Sequence, residues 1–248
     1  MGQNFRLFLQ YDGTDFDGWQ RQGNTDNTIQ GKLEQVLGRL EGEAVDVCGA
    51  GRTDAGVHAE EQVANVHLKT EIAPGQLKDY LNRYLPESIL VTDVQKAGER
   101  FHSRLNATGK IYTYRLDMAD KCRVFQRKYT YALGQRLDVE AMRRTAGYLL
   151  GTHDFRSFCA NKHMKKSTVR TIDRIDISVR GTQMEIQIQG DGFLYNMVRI
   201  LVGTLIEAGQ GKRAPESIPG IIGARDRQAA GFTAPAKGVF LTKVLYSR

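Results

Sequence analysis

Few cysteines and no clustered histidines limit what this chain can bind. Among its 248 residues are three cysteines, Cys48, Cys122 and Cys159, and they are not spaced as pairs. An odd number of isolated thiols is typical of reduced proteins, in which cysteine packs as a small apolar side chain. The five histidines also form no i, i+4 or Cys/His array of the kind that binds zinc. We therefore predict neither a disulfide nor a metal site.

Long hydrophobic runs are absent as well. No apolar stretch reaches the roughly 18 residues that a membrane-spanning helix requires. The first residues lead directly into an alternating strand pattern, so no signal peptide is expected. Apolar residues make up 41% of the chain and charged residues 25%, as in ordinary globular proteins. The sequence predicts a cytoplasmic protein that is not attached to a membrane.

Two glycine-containing loops, residues 49–58 and 209–213, are candidates for a nucleotide-binding motif, but neither matches one. After Gly49 and Gly51, Asp54 stands where a dinucleotide fingerprint has a third small residue, and its charge would repel a pyrophosphate. Residues 209–213 lack the spacing and the Ser or Thr of a phosphate loop, and are more typical of a helix C-cap. No nucleotide cofactor is predicted.

Residues 49–58 read Gly-Ala-Gly-Arg-Thr-Asp-Ala-Gly-Val-His and are the strongest indication of function. The glycines permit positive φ angles and close approach of a ligand, so Arg52 and Asp54 project from an uncrowded backbone. The alternative is an ordinary turn, in which Asp and Gly serve the backbone. Such a turn needs only one or two glycines and no Arg-x-Asp pair beside a histidine. The pattern favours an active-site loop.

Charge indicates a polyanionic partner. Lysine and arginine total 35 against 28 acidic residues, which gives a net charge of +7 and a pI near 9.3. Residues 100–128 contain eight cations and two acids, with Tyr112, Tyr114 and Phe125 among them, and residues 156–174 contain six cations and one acid. Such mixtures suit nucleic acid, because cations meet phosphates and aromatic rings stack on unpaired bases. A solvated basic face is the alternative.

Hydrophobic periods predict strands and helices in a repeated order. In the first half they predict a strand at 5–11, a helix at 29–40, strands near 44–49 and 61–69, a helix opened by Pro74 and closed by Pro86, and a strand at 89–96. In the second half they predict a strand at 111–116, a helix near 139–150, strands near 168–179 and 184–189, a helix at 193–208, a short helix after Pro215 and a strand at 239–246.

This order is βαββαβ in the first half and is repeated with longer loops in the second. It predicts an α+β fold of two ferredoxin-like halves, residues 1–103 and 104–248. Their antiparallel sheets would join, with helices on one face and a basic cleft on the other. No Pro/Ser-rich linker stands near residues 97–108, so we expect the halves to share an interface. The loop of Asp54 would then lie in the cleft.

Seven motifs that span nearly the whole chain resemble, in order, those of the tRNA pseudouridine synthase I (TruA) family. They are Tyr11-Asp12-Gly13-Thr14; Gly18-Trp19-Gln20-Arg21-Gln22; residues 51–58; Phe101-His102-Ser103-Arg104; Lys110-Ile111-Tyr112-Thr113-Tyr114; His153-Asp154-Phe155 with Ser157-Phe158; and Phe193-Leu194-Tyr195 with Met197-Val198-Arg199. The resemblance implies conversion of uridine to pseudouridine at positions 38, 39 and 40 of the tRNA anticodon arm, without cofactor or metal. It also implies a homodimer in which one tRNA contacts both subunits.

The same resemblance implies a role for each site residue. Asp54 is the nucleophile, since a carboxylate can form and release a covalent adduct. Arg199 would pair with Asp54 and favour its charged form. Tyr112 would lie against the target base and assist proton transfer, and Arg52 would hold the uridine outside the stack. Further substrate contacts are assigned to Thr53, His58, Phe101, His102 and Arg104.

The residues themselves leave alternatives to these roles. Arg199 lies in an apolar helical pattern, where it could pair with another acid, and Tyr112 could be a strand aromatic like Tyr114 on the same face. His58 and His102 could be structural histidines. For the whole chain, one alternative is a non-catalytic RNA-binding or chaperone protein, which has no use for a carboxylate at position 54. Another is a nuclease, for which metal-binding carboxylates or a histidine pair are missing.

Overall fold

The computed structural model describes residues 2–247, which form an α+β fold with two compact units. Within the described residues, the first unit comprises residues 2–108 and 240–247, and the second comprises residues 109–239. The predicted α+β class is confirmed. In the part of the chain that the structure describes, no helix is both long and apolar enough to cross a membrane.

Residues 2–247 contain ten strands and five α-helices, joined by loops and short 3₁₀ turns. In the first part of the chain they are β1 (Gln3–Tyr11), α1 (Ile29–Glu41), β2 (Cys48–Gly49), β3 (His58–Leu68), α2 (Pro74–Tyr84) and β4 (Ile89–Lys96). They continue with β5 (Ala107–Asp117), β6 (Tyr131–Ala132), α3 (Val139–Leu149), β7 (Gly151–Asp154), β8 (Val169–Arg180), β9 (Gln183–Gly190), α4 (Met197–Gly209), α5 (Ile218–Ala224) and β10 (Val239–Tyr246). Most elements lie within a few residues of their predicted positions.

The sheet of the first unit has the strand order β4-β1-β3-β10, with β2 paired to β3. β1 is antiparallel to both of its neighbours, whereas β10 runs parallel to β3. Phe5, Leu7 and Leu9 of β1 are fully buried, while Arg6 and Phe8 between them are only half-buried. One face of the strand therefore carries the hydrophobic core, as its alternating pattern predicts.

The helices of the first unit begin and end where the sequence supplies capping residues. The Thr28 hydroxyl accepts a hydrogen bond from the Gly31 N–H at the start of α1, and Gly42 adopts a left-handed conformation just after its end. Pro74 opens α2, where its missing N–H costs no helical hydrogen bond. The βαββαβ order predicted for the first half is confirmed.

The strand predicted near residues 44–49 is wrong for most of its length, since only Cys48–Gly49 pairs with β3. The reason is that side chains of α1 form hydrogen bonds with the backbone just before Cys48. Val47 N–H donates to Glu34 Oε1, and the Val47 carbonyl accepts from Gln30 Nε2, both at 3.2 Å. Both backbone groups of Val47 thereby bond to α1 and not to a neighbouring strand.

The sheet of the second unit has the order β5-β9-β8-β7, with the short β6 beside β5. Pairing along the main path is antiparallel. Strand β7 was not predicted, so the second half does not repeat the first half strictly. The ferredoxin-like halves and the domain boundary after residue 103 stay predictions.

Helix α4 begins four residues later than the predicted start at residue 193. Asn196 has a left-handed backbone (φ 60°), which interrupts the helical path just before Met197. From there the helix is almost entirely buried, with Ile200 and Leu201 fully inaccessible. It ends at Gly209, and Gly211 has a φ of 71°, in agreement with the predicted helix end.

Helix α4 packs so closely on the segment before β10 that Gly203 has no room for a side chain. A Cβ there would lie 1.8 Å from the Phe232 carbonyl oxygen. We expect Gly203→Ala to lower the free energy of unfolding by about 1–3 kcal/mol, because the backbone must shift. Gly147→Ala is the control: Gly147 lies in α3 with no atom within 4 Å of a Cβ. It should raise stability by about 0.5–1 kcal/mol.

Urea unfolding followed by circular dichroism measures both changes. Similar effects of the two substitutions would contradict the close contact of Gly203 with Phe232.

Candidate active site

The Asp54 loop, residues 49–58, joins β2 to β3 and is fixed by backbone hydrogen bonds. Ala50 N–H donates to the Val63 carbonyl at 2.7 Å, and Trp19 N–H donates to the Thr53 carbonyl at 3.0 Å. Trp19 itself is buried. The loop is therefore packed on the segment that follows β1, and it does not project freely as a surface turn would.

A buried phenol holds the middle of the loop. The Tyr11 hydroxyl lies 2.8 Å from Thr53 Oγ1, and both side chains are buried. Gln62 of β3 donates through Nε2 to the Gly51 carbonyl at 2.9 Å and to the Tyr11 hydroxyl at 3.4 Å. Burial raises the pKa of Tyr11 to about 12, and the hydrogen bonds from Thr53 and Gln62 offset part of that rise. The phenol is thus neutral at physiological pH.

The glycines of the loop serve different purposes from those expected. Only Gly56 has a positive φ (76°), so the expectation of positive φ at Gly49 and Gly51 is wrong. At Gly49 the constraint is space, because a Cβ would lie 2.4 Å from the Trp19 ring. Gly56 is therefore needed for the turn, and Gly49 is needed because a side chain there would collide with Trp19.

The loop separates its polar side chains by direction. Thr53 is buried, while Asp54 is half-buried and Arg52 is exposed. The Asp54 carbonyl accepts from the Val57 N–H at 3.1 Å, which closes a turn directly after the carboxylate. The sequence Arg-Thr-Asp thus places two charged groups on the accessible side of a loop whose central residue is anchored inside.

His58, a predicted substrate contact, is a buried residue at the start of β3. Its side chain is 1% exposed, and its ring stacks on Phe240 at 4.8 Å. Nδ1 lies 3.1 Å from both the Gly13 nitrogen and Asp12 Oδ1. Without a proton, Nδ1 accepts a hydrogen bond from the Gly13 N–H. With a proton, Nδ1 donates to the Asp12 carboxylate instead. This burial favours the structural alternative for His58.

The predicted contacts Phe101, His102 and Arg104 follow β4 in the first unit. Phe101 and His102 are half-buried and Arg104 is exposed. Nδ1 of His102 accepts from the Arg104 N–H at 3.1 Å, so the histidine orders the backbone of this segment.

Ser103, which was not predicted as a site residue, ties that segment to the start of the Asp54 loop. Its hydroxyl donates to the Cys48 carbonyl at 2.5 Å, one residue before the loop. Its N–H donates to Asn65 Oδ1, and its carbonyl accepts from the Tyr246 hydroxyl at 2.7 Å. Both Ser103 and Tyr11 stand inside motifs recognised in the sequence, which is the signal that could have identified them.

Arg6 was also missed, and nothing in the sequence pattern marks it. Its guanidinium carbon lies 4.1 Å from the centre of the Tyr246 ring, 4.7 Å from that of Phe8 and 5.3 Å from that of Phe101. These are cation–π distances. The guanidinium thereby holds β1, β10 and the segment after β4 together on the half-buried face of the sheet.

Tyr112 and Tyr114 lie on β5 in the second unit. Tyr112 is 7% exposed, and its ring meets Phe193 edge-on at 5.1 Å. Tyr114 is fully buried, and its hydroxyl donates to the Pro235 carbonyl at 3.1 Å. Burial raises the pKa of Tyr114, and the charge of Arg199 opposes that rise. Tyr114 is therefore the more deeply buried of the two, although Tyr112 is buried as well.

Arg199 is the third residue of α4 and is half-buried. Its Nε donates to the Ala234 carbonyl at 2.7 Å, and Nη1 donates to Asn196 Oδ1 at 3.0 Å. Because Tyr114 bonds to the next carbonyl, that of Pro235, the Ala234–Pro235 backbone fixes Arg199 relative to β5. The second unit thus brings Arg199 and the strand of Tyr112 together.

The structure assembles the predicted site residues in two groups, one in each unit. Seven belong to the first unit and two, Tyr112 and Arg199, to the second. The Asp54–Arg199 ion pair stays a prediction. Among residues 2–247 there is no group of three or more His, Cys, Asp or Glu side chains that could hold a metal ion.

Comparison with known proteins identifies the chain's relatives. A family described as tRNA pseudouridine synthase matches residues 7–106 and 145–247. The tRNA pseudouridine synthase A of Bacillus sp. (strain KSM-64) is 46% identical over 243 residues, which cover 98% of this chain and 99% of the relative. That of Acetivibrio thermocellus is 43% identical and covers 98% of this chain and 100% of the relative.

A solved structure described as a Cbf5-Nop10-Gar1 complex covers 96% of this chain and 48% of its own chain. Its TM-score is 0.43 at 11% identity.

These matches define an isomerase of the pseudouridine synthase class. Within that class, the chain belongs to the tRNA pseudouridine synthase family.

The buried Tyr11 predicts a loss of stability in alkali. Its folded-state pKa of about 12 exceeds the unfolded value of 10, so its contribution is fully present below pH 10 and is lost as pH rises toward 12. This phenol should cost about 1 kcal/mol of unfolding free energy between pH 9 and pH 11. Urea unfolding at both pH values measures it. The loss should be smaller by about this amount in Tyr11→Phe, and an identical loss in both proteins would contradict the assignment.

Proposed function

We propose that this protein converts uridine to pseudouridine at positions 38, 39 and 40 of the tRNA anticodon arm, with Asp54 as the nucleophile. Membership of the tRNA pseudouridine synthase family supports the reaction and the substrate. The observation that carries the assignment of Asp54 is its setting, a half-buried carboxylate next to the anchored Thr53.

The reaction breaks the bond from N1 of uracil to C1′, turns the detached base and joins its C5 to C1′. The product is an isomer of the substrate, because C5 loses one proton as it joins C1′ and N1 gains one in place of its bond to C1′. Such a reaction needs a catalytic carboxylate held still beside the nucleotide and a site that keeps the detached base from escaping. The hydrogen bonds of Thr53 to Tyr11 and Trp19 provide that rigidity for Asp54.

Arg199 would pair with Asp54 in this proposal and keep the carboxylate ionised, because a neighbouring cation favours the charged form. The bonds from Arg199 to the Ala234 carbonyl and to Asn196 support this role, since they orient the guanidinium before substrate binds.

Tyr112 would lie against the extruded uracil and assist proton transfer. Its edge-on contact with Phe193 supports this role, because that contact fixes the plane of the ring.

Arg52 would hold the uridine outside the base stack. It is exposed and lies two residues from Asp54, within reach of the nucleotide that the carboxylate attacks. Arg104 is also exposed, and we propose that it contacts the RNA backbone together with Phe101 and His102. We further propose a cytoplasmic homodimer as the working form, because the net charge of +7 suits a large polyanion shared by two copies.

Incubation with unmodified tRNA, followed by carbodiimide-adduct sequencing, tests the reaction and its position. We expect modified uridines at positions 38 to 40 with the wild-type protein. Asp54→Asn should lower the rate by at least roughly 10³-fold, because the amide cannot form the adduct. The matched control is Asp15→Asn, an exposed carboxylate in the same unit, which should keep the wild-type rate.

Retained activity in Asp54→Asn would remove the assignment of the nucleophile. A wild-type protein that binds tRNA and leaves every uridine unchanged would instead support the non-catalytic RNA-binding alternative.

Arg199 is tested by separating chemistry from binding. Arg199→Ala should lower the single-turnover rate by roughly 10²-fold or more while tRNA affinity changes by less than about tenfold, since phosphate contacts are spread over many cations. Arg199→Lys, which keeps the charge but not the forked geometry, should fall between the two. Arg180→Ala, which removes an exposed cation outside both basic segments, is the control and should leave rate and affinity unchanged. Complete loss of tRNA binding in a folded Arg199→Ala variant is the outcome that contradicts this role.

A further inference from the structure

An aromatic ring stands almost fully in solvent on the loop between β5 and β6. Phe125 is 93% exposed and the preceding Val124 is 65% exposed, whereas Phe155 and Phe158 of the same unit are fully buried. No other large hydrophobic side chain in residues 2–247 is as exposed as Phe125. A solvent-exposed phenyl ring does not stabilise the folded chain, so Phe125 is a candidate for contact with another molecule.

The segment that carries the ring, residues 121–128, is called the basic tip below. It contains a short 3₁₀ turn at Val124–Gln126, and the two residues that follow the ring anchor the loop. Gln183 Nε2 donates to Gln126 Oε1 at 2.5 Å, and Lys237 Nζ donates to the Arg127 carbonyl at 3.3 Å. The ring is thus presented by a braced turn, which lowers the entropy that binding would cost.

The basic tip has an excess of cations. Asp120 is the acid next to it, and the tip holds four exposed cations: Lys121, Arg123, Arg127 and Lys128. Among the described residues, no ion pair is recorded for any of these four. Elsewhere in the second unit arginines do pair with acids, as Arg143 does with Glu140 and Arg213 does with Glu207. The tip therefore offers unneutralised positive charge around an exposed ring.

This combination selects one kind of partner. Two apolar side chains are too few for the apolar core of a stable protein–protein interface, which buries on the order of 1,000 Å² or more. An unpaired base, in contrast, stacks on a single ring while its flanking phosphates meet the cations. The tip also lies between the two ranges that the family matches, in residues 107–144.

We propose that the basic tip binds the tRNA substrate, with Phe125 stacked on an unpaired base and the four cations on neighbouring phosphates. The proposal rests on the proposed function for the identity of the RNA. It assigns the tip to binding and not to chemistry, so its loss should raise KM and leave kcat unchanged.

The test measures the dissociation constant and the steady-state constants with full-length unmodified tRNA. Phe125→Ala should raise Kd and KM about tenfold, with kcat within about twofold of the wild type. Phe125→Tyr keeps a ring and should bind like the wild type, whereas Phe125→Leu keeps only apolarity and should behave like the alanine variant. Because the side chain is exposed, all three should keep the wild-type melting temperature.

Two further variants serve as a matched control and a test of charge. Tyr84→Ala removes a half-exposed ring from the end of α2 and should leave tRNA binding unchanged, because Asp79 and Glu87 balance the nearby Lys78 and Arg83 in the sequence. Arg123→Gln should reduce the slope of log Kd against log salt concentration by roughly one.

Four outcomes overturn the proposal. They are unchanged Kd in Phe125→Ala, wild-type binding by Phe125→Leu, a change of oligomeric state in Phe125→Ala, and Phe125-dependent binding to anionic phospholipid vesicles in place of tRNA. The proposed function fails separately, if the wild-type protein forms no pseudouridine while its tRNA affinity still depends on Phe125.

Discussion

The hydrogen bond between Tyr11 and Thr53 is the contact on which the geometry of the first unit's site depends. It joins the end of β1 to the residue beside Asp54, and it lies where water cannot replace it. An unsatisfied buried hydroxyl costs about 1–3 kcal/mol, so the loop has one favourable position. Thr53 turns inward to make this bond, and Arg52 and Asp54 on either side of it are accessible as a result. The position of Asp54, the proposed nucleophile, thus depends on the hydrogen bond that its neighbour Thr53 makes.

Ser103 extends this order to a distant part of the sequence. Through one residue, the segment after β4 is bonded to β2, β3 and β10. Arg6 adds a second connection over the aromatic rings of Phe101 and Tyr246. Neither Ser103 nor Arg6 has a catalytic role in the proposed mechanism. Both connect the elements of the first unit that carry the proposed site residues. In the second unit, the Ala234 and Pro235 carbonyls accept hydrogen bonds from Arg199 and from Tyr114 of β5, and they thereby connect Arg199 to that strand.

Much of this architecture is predictable from periodicity, because alternating and helical patterns report which face is buried. The bounds of β4 and β10 agree with prediction, as do the start of α1 and the end of α2 near its prolines. Predictions failed where tertiary contacts decide the backbone. Glu34 and Gln30 capture Val47 in place of a strand partner, and Asn196 adopts a left-handed conformation that no period reveals. For the site, the motifs identified the polar residues, but the bonds of Ser103 and the rings around Arg6 depend on strand order, which the sequence does not state.

The position of β10 has a consequence for how the protein is made. This strand completes the sheet of the first unit by pairing with β3, stacks Phe240 on His58 and bonds Tyr246 to Ser103. In the chain it follows the whole second unit, so a ribosome makes residues 109–239 before the first unit can close. At about 5–20 residues per second, the synthesis of residues 109–239 takes roughly 7 to 26 seconds. Until then, the edge of β3 with which β10 pairs has no partner strand. This affects the Asp54 loop directly, because β3 begins where that loop ends.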